Sequence, residues 1–583
     1  MSKGVPFALR VCALSLALSL YAEAAANRVN PSAYNPSASN EDNGVVKIPM
    51  RDGVRLSTRI FRPAGTGKLP TILLRTPYGK DTDLGSSYRA FVDRGYNVVV
   101  QDVRGRYASG GAFRPLEQES GDGSDTLNWI ARQSWSNGDV GMIGGSYRGM
   151  VQWKAAIVNN PHLKAIFPVV SGSDEYRDRF YSPGGVMKLG HRLLWMAENL
   201  RAPSFEPPSF AEYVRHLPLR TIDAATTGHS IAFYQEALNH PNLDAYWNAL
   251  STREHLDKVR IPAFIVGGWY DNYAQSDLET YSILAKKTSA NRIVIGPWPH
   301  DMSIKFPGVD FGKDSGAPIR TYQLQWFEHW LKAPHPAPEF RQPPVRIFVM
   351  GANKWRDERE WPLARTRYTP LYLTGKGNAN SAKGDGLLTS EPHKYDLVDD
   401  FVYDPRNPVP TNGGAICCNP RIFPWGPRDQ SAIEARDDVL VFSTPALKQD
   451  LEVTGPIRVV LYASTSQPDT DFTAKLVDVL PNGVPHNLTD GALRLRYRNS
   501  LDQPVLARQG EIYQISIDAG VTSNVFRAGH KIRVEISSSN FPRFDRNPNT
   551  GRRIADETEL RVANQRIYHG KQYPSYLLLP VIP

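Results

Sequence analysis

Residues 141–150 read Gly141-Met-Ile-Gly-Gly-Ser-Tyr-Arg-Gly-Met150. Apolar Val140, Met142 and Ile143 mark the end of a buried strand, and Tyr147 to Val158 (YRGMVQWKAAIV) has the composition of a helix. Ser146 sits at the joint, where a tight strand-to-helix bend exposes a hydroxyl and crowds the backbone. Gly144 and Gly149 flank it, as such a bend requires. The helix N-terminus that follows offers free backbone N–H groups to an anion. One short stretch therefore supplies a nucleophile and part of an oxyanion hole. The usual spacing is G-x-S-x-G; here Arg148 takes the fifth position and the glycine comes one residue later.

On either side of this turn, buried strands alternate with helices. Thr71–Leu74 and Tyr96–Val103 precede it, with helices expected at Ser86–Arg94 and Gly121–Gln133. Leu163–Val170 follows. After an interruption the alternation resumes with a strand at Ile261–Gly267, a helix at Ser276–Lys287, a strand at Arg292–Ile295 and a closing helix at Pro318–Lys332. This pattern predicts a mainly parallel sheet covered on both faces, with ligands beyond the C-terminal ends of its strands. Val45–Pro49 and Val54–Phe61 read as a hairpin turning at Asp52-Gly53.

The interruption, rich in aromatics and helix formers, reads as a helical cap. After Pro334, Pro336 and Pro338 the character changes to short alternating runs such as Lys531–Ser537, predicting a β-sandwich of jelly-roll type. The expected organisation is a signal peptide at 1–26 and an N-terminal arm at 27–43. The α/β-hydrolase domain then occupies 44–171 and 256–335, the cap 172–255 and the jelly roll 343–583.

The leader has Lys3 and Arg10 before a ten-residue apolar core, VCALSLALSL, with small residues at the cleavage region. It is too short to span a bilayer, so a periplasmic or secreted protein is expected, with no membrane partner after cleavage. A net charge of +9 is spread along 583 residues without a Lys/Arg run, which speaks for a solvated surface and against nucleic-acid binding. After cleavage only Cys417 and Cys418 remain. Being adjacent, they would form only a strained disulfide, and they read as two small semi-buried side chains. No Cys/His spacing resembles a metal site, and no cofactor is expected. A homo-oligomer is left open.

A serine needs a base, and the base an orienting acid. With the chain order serine, acid, histidine, the strand ends supply Asp271 in Gly267-Gly-Trp-Tyr-Asp271 and His300 in Gly296-Pro-Trp-Pro-His300. Asp102 also ends a strand but is expected to pair with Arg104 or Arg106. His191, His229, His240 and His255, in or beside the cap, suit surface or satisfied core roles. Tyr78, after the first parallel strand, is either an oxyanion donor or an aromatic packed on the cap. Trp269, Tyr270 and Tyr273, with Trp153, suggest an apolar aromatic acyl pocket, and hence a preference for neutral or aromatic acyl esters.

Gly144-Gly-Ser-Tyr-Arg-Gly-Met-Val-Gln-Trp153, Arg75-Thr-Pro-Tyr78, Gly268-Trp-Tyr-Asp271, Gly296-Pro-Trp-Pro-His300 and Ser538-Ser-Asn-Phe-Pro-Arg-Phe544 resemble motifs of the bacterial cocaine esterase group. That group includes α-amino acid ester hydrolases, glutaryl acylases and X-prolyl dipeptidyl peptidases. The resemblance implies an α/β-hydrolase fold with a helical cap and jelly-roll domain. It also implies Ser146 as nucleophile, Asp271 as acid and His300 as base, with Tyr78 O–H and Tyr147 N–H as the oxyanion hole. The expected activity is hydrolysis of a small ester or amide through an acyl-enzyme. The alternatives are an X-Pro dipeptidyl peptidase and, in another class, a polymer- or glycan-binding protein with a vestigial site.

Overall fold

The computed structural model describes residues 40–65, 67–81, 86–333 and 340–583. The leader, most of the N-terminal arm and the prolines at 334–338 lie outside the described residues.

The first hairpin comprises β1 (Asn40–Pro49) and β2 (Arg55–Pro63), antiparallel with Pro49 opposite Arg55. It leads into β3 (Leu69–Thr76), β4 (Asn97–Asp102), β5 (Ser136–Gly145), β6 (Leu163–Val169), β7 (Phe264–Tyr270) and β8 (Arg292–Pro299). A small hairpin, β9 (Lys305–Phe306) with β10 (Val309–Asp310), follows. Two further strands, β11 (Val345–Val349) and β12 (Lys354–Glu358), complete a ten-stranded sheet of order β1-β2-β4-β3-β5-β6-β7-β8-β11-β12. From β4 to β11 all neighbours in that order are parallel.

Alternate strand residues feed opposite faces, as the two-residue period requires. Leu73, Val99, Met142 and Ile265 pack under α2 (Glu119–Ala131), α3 (Tyr147–Ala156) and α5 (Ala274–Ala285). Ile72, Leu74, Val98, Val100 and Phe167 pack under α1 (Ser86–Val92) and α6 (Ile319–Phe327). The close approach of α6 explains a glycine inside β5: a Cβ at Gly141 would lie 2.3 Å from the Phe327 ring.

Expected and observed elements agree except at the domain boundary. Val345–Val349 was expected to open the β-sandwich; instead it pairs in parallel with β8, through Val345 opposite Ile293. The ten-stranded sheet thus takes two strands from beyond the proline-rich stretch. The VRIFV run is an apolar strand whose partner only long-range pairing reveals.

The cap opens with a wide helical turn, Glu175–Phe180, capped by Asp174, whose carboxylate accepts from Arg177 N–H at 3.0 Å. The long cap helix α4 (Leu189–Leu200) follows, then short helices. Their centre is an aromatic cluster of Tyr176, Phe180, Tyr181 and Trp247. The C-terminal unit, Arg367–Ile582, is mainly β, built around the long strand Leu451–Thr465, which bonds to Tyr513–Phe526, Ala563–His569 and Tyr576–Ile582. It is tied to the rest by main-chain bonds: Met350 N–H donates to Ser523 C=O at 3.0 Å, Val525 N–H to Met350 C=O at 2.8 Å, and Gly190 N–H to Pro542 C=O at 2.7 Å. Among the described residues no helix is long and apolar enough to cross a membrane, and no cluster of three or more His, Cys, Asp or Glu side chains is arranged to hold a metal ion.

Candidate active site

Ser146 stands between the last residue of β5 and the first of α3, at φ +57° and ψ −129°. Such a conformation costs about 1–3 kcal/mol outside glycine and persists only where the surroundings enforce it. Here Ser146 N–H donates to Val169 C=O at 2.9 Å, and its own C=O accepts from Gly149 and Met150 N–H at 2.8 and 3.0 Å. The displaced glycine of the motif also has a physical reason. A Cβ at Gly149 would lie 2.6 Å from the Ser171 Cβ, beyond the end of β6.

Asp271, just past β7, is 1% exposed. Its Oδ1 accepts from Tyr273 N–H at 2.9 Å, and its Oδ2 lies 2.6 Å from Nδ1 of His300, just past β8. Burial alone would push the His300 pKa down. The Asp271 carboxylate overrides it and holds the imidazole up at about 9.

Tyr78 follows β3. Its hydroxyl accepts from Trp195 Nε1 of the cap at 3.3 Å and shares a hydrogen bond with the Ser146 side chain. Burial pushes the phenol above its ordinary value, so it keeps a proton to donate. Tyr147 opens α3, where helical N–H groups lack intrahelical partners. Its hydroxyl donates to Glu119 Oε1 at 2.9 Å, and Glu119 in turn pairs with Arg75 of β3 at 2.5 Å. A buried ion pair thereby links the strand leading to Tyr78 with the residue after Ser146.

Ser146, Tyr78, Tyr147, Tyr273 and His300 line one cavity of about 720 Å³. The cap adds Arg179, His191, Arg192 and Trp195, and the C-terminal unit adds Cys417 and Cys418. Asp271 stands behind His300, on a second cavity of about 250 Å³.

The aromatic residues expected in the pocket divide. Tyr273 reaches the cavity. Trp153 does not: it is buried, with Nε1 on Ser171 Oγ at 3.3 Å. Trp269 donates to Phe348 C=O at 2.7 Å and packs on Trp361, and Tyr270 donates to Asn487 C=O at 3.3 Å beside Phe306 and Phe311. These two belong to β7 itself, so their side chains leave the strand sideways into its packed faces. Only the residue beyond the strand end turns towards the opening.

Two other expectations change, for Asp102 and His191, while the cysteines, unbridged and buried or half-buried as expected, take a position that the sequence did not indicate. Asp102 is held by Lys80, through its N–H at 2.6 Å and Nζ at 3.6 Å, while Arg104 binds Asp122 and Asp52. His191 is no satisfied core residue, since its buried Nε2 has no partner and it lines the cavity. Cys417 and Cys418, both free thiols, face the same space. The stripe of Leu189, Leu193, Met196 and Leu200 leaves His191 on the opposite side of the helix, so the spacing gave no sign of its burial, and nothing local ties Cys417 to a serine so far away in the chain.

The sequence compares as follows. The model of the X-Pro dipeptidyl-peptidase (S15 family) matches residues 52–301, and that of the X-Pro dipeptidyl-peptidase C-terminal non-catalytic domain matches 338–578. Cocaine esterase of Rhodococcus sp. (strain MB1 Bresler) is 40% identical over 566 residues, covering 92% of this chain and 98% of that protein. The chain belongs to the cocaine esterase/X-Pro dipeptidyl-peptidase family. Solved structures with a similar fold cover nearly the whole chain. An aminopeptidase from the marine sediment archaeon Thaumarchaeota archaeon superposes with a TM-score of 0.82 at 28% identity, and an α-amino acid ester hydrolase with 0.81 at 27%. Each alignment covers 94% of this chain and 98% of the other. As a member of the family the protein is a serine hydrolase with an α/β-hydrolase fold and a C-terminal β-rich domain.

Proposed function

We propose that the protein is an exported hydrolase that cleaves carboxylic esters or amides through an acyl-enzyme on Ser146. His300 Nδ1–H donates to Asp271, which leaves Nε2 to take the Ser146 proton as Oγ attacks the acyl carbon. The imidazolium then returns that proton to the leaving alkoxide or amine. The negative charge on the tetrahedral oxygen is met by Tyr147 N–H and Tyr78 O–H. Water repeats the sequence to release the acid.

The observation that carries this reading is the 2.6 Å His300–Asp271 contact at the wall of the cavity that holds Ser146 and Tyr78. Export rests on the leader alone: two basic residues, then VCALSLALSL.

An X-Pro peptidase must hold a substrate ammonium, which needs a carboxylate. Asp174 and Glu175 are engaged by Arg177 and Arg179 at 3.4 and 2.6 Å. Glu198 lines the cavity but is exposed and accepts from Asn419 at 2.9 Å. Peptides of the Ala-Pro type are therefore expected to be poor substrates.

Purified wild-type protein should be labelled by a fluorophosphonate and should hydrolyse p-nitrophenyl esters. Ser146→Ala should fold, escape labelling and lose nearly all turnover. Wild-type turnover by that variant would refute the assignment, and a wild-type protein inert to the probe would favour a binding role.

A further inference from the structure

Cys417 and Cys418 line the cavity that holds Ser146, and neither is in a disulfide. Neighbouring side chains of an extended segment point to opposite sides. Here Cys418 takes φ +94°, and both residues border the same space. The Cys418 S–H stands between two acceptors, His191 C=O at 3.4 Å and the Cys417 sulfur. The charge of Cys417 is felt at His300, and that of Cys418 at the Tyr78 phenol. The pair therefore borders the general base on one side and the oxyanion donor on the other.

A direct bridge between the two sulfurs is disfavoured. Across their trans peptide the Cα atoms are about 3.8 Å apart, closer than the ~4.4 Å at which unstrained disulfides begin. An atom inserted between the sulfurs lengthens the bridge and relieves that strain. Cys417 is 5% exposed. Burial opposes its ionisation, but Cys418, His300 and Arg192 outweigh it, and the thiol is drawn down towards the thiolate, the form that binds soft centres. Arg192 is 3% exposed, its Nε has no partner, and among the described residues no carboxylate forms an ion pair with it, so its charge is free to support that thiolate. Beside it His191, also 3% exposed, presents an unpartnered Nε2 in the same wall.

We propose that Cys417 and Cys418 form a dithiol site for trivalent organoarsenicals, and that a ligand seated there closes the active site. Each sulfur replaces one hydroxyl of R–As(OH)2. Two As–S bonds form, two As–O bonds break, and the thiol protons leave with the hydroxyls as two waters. Arsenic stays trivalent, so the step needs no oxidant or reductant. The organic arm R has a cavity of about 720 Å³ to occupy. Binding stands on the two sulfurs alone, whereas closure rests on the serine-hydrolase reading above.

The test uses phenylarsine oxide on protein reduced with a phosphine. One equivalent should bind per chain, adding one phenylarsenic group and removing two hydrogens by intact mass, and should shield Cys417 and Cys418 from N-ethylmaleimide in peptide maps. Hydrolysis of p-nitrophenyl acetate and labelling by a fluorophosphonate should fall in step with occupancy. 2,3-Dimercaptopropanol should reverse both losses, and an equal concentration of 2-mercaptoethanol should not. Phenylarsonic acid, pentavalent with the same arm, should have no effect. Cys417→Ser and Cys418→Ser, each compared with its own untreated rate, should lose this dithiol-selective hold; if they fail to fold, the mass, the maps and the reversal on wild type decide. Arsenical absent from wild type, held equally by either serine variant, or released equally by both reagents would overturn the site. Arsenical bound with hydrolysis and labelling intact would overturn the closure. A pair already oxidised before reduction, with both thiols restored by the phosphine, would overturn the geometric ground of the proposal in favour of a direct bridge. A protein that binds the arsenical at this pair but is never labelled by the fluorophosphonate would instead strike the serine-hydrolase reading and leave the site standing.

Discussion

Trp195 Nε1, on the cap, donates to the Tyr78 hydroxyl at 3.3 Å. That contact occupies an acceptor site of the phenol and leaves its proton free for the proposed role, donation to the tetrahedral oxygen formed at Ser146. Tyr78→Phe should lower kcat by ~10²–10³ with a much smaller change in KM, as for loss of one oxyanion donor. Trp195→Phe should lower kcat less, and the double variant should be little worse than Tyr78→Phe alone. A Tyr78→Phe enzyme with unchanged kcat and raised KM would make Tyr78 a wall of the pocket.

The His300–Asp271 pair sets the pH dependence. The imidazole acts as base only when neutral, and its pKa is held up at about 9. The acid limb of kcat/KM should therefore lie well above 6.5, the ordinary histidine value. Asp271→Asn should lower kcat by ~10⁴ and move the limb down. The same pair affects stability with a defined sign. Because the folded pKa is the higher one, its contribution is complete below about 6.5 and is lost as pH rises through about 9. Thermal melts of wild type against Asp271→Asn from pH 6 to pH 10 should converge upward.

Asp277 behaves in the opposite way. Burial, helped by the Asp271 carboxylate, pushes its carboxyl well above the ordinary range while Oδ1 accepts from Gly172 N–H at 2.9 Å. An acid whose folded pKa is raised costs stability once the unfolded chain can ionise, so the cost grows from about pH 4 upward. Asp277→Asn keeps the acceptor and removes the titration. Its melting temperature relative to wild type should rise between pH 4 and pH 8; a constant offset would contradict this.

Gly149→Ala places a methyl group 2.6 Å from Ser171 Cβ. Overpacking of this kind costs about 1–3 kcal/mol, and here it strains Gly149 itself, whose N–H donates to Ser146 C=O at 2.8 Å. Activity should fall further than urea stability predicts. A variant of normal stability and full activity would show that the bend tolerates a Cβ.

The strand ends were legible because buried parallel strands read as short apolar runs and their C-terminal residues follow directly. Ser146, Asp271 and His300 could be named as candidates from that alone, whereas Tyr78 stands level between oxyanion donor and packing aromatic until the family resemblance favours the donor. The direction of a side chain at a strand end could not be read, so Trp269 and Tyr270 looked equivalent to Tyr273. The cavity's second half was hidden for another reason. Arg192 and Cys417 reach it through the packing of α4 and of a C-terminal loop, which leaves no mark on neighbouring residues. The β11 strand was misassigned because a proline-rich stretch resembles a domain boundary whether or not the sheet continues beyond it.

The bonds between Met350 and the Ser523–Val525 segment bear on how the chain comes apart. They run backbone to backbone from the tail of one sheet to a strand of the other, and the cap adds Gly190 on Pro542. Neither half can melt without exposing donors and acceptors that the other had satisfied. Calorimetry should accordingly record one endotherm, with van't Hoff and calorimetric enthalpies in agreement, and limited proteolysis should release no fragment that retains esterase activity.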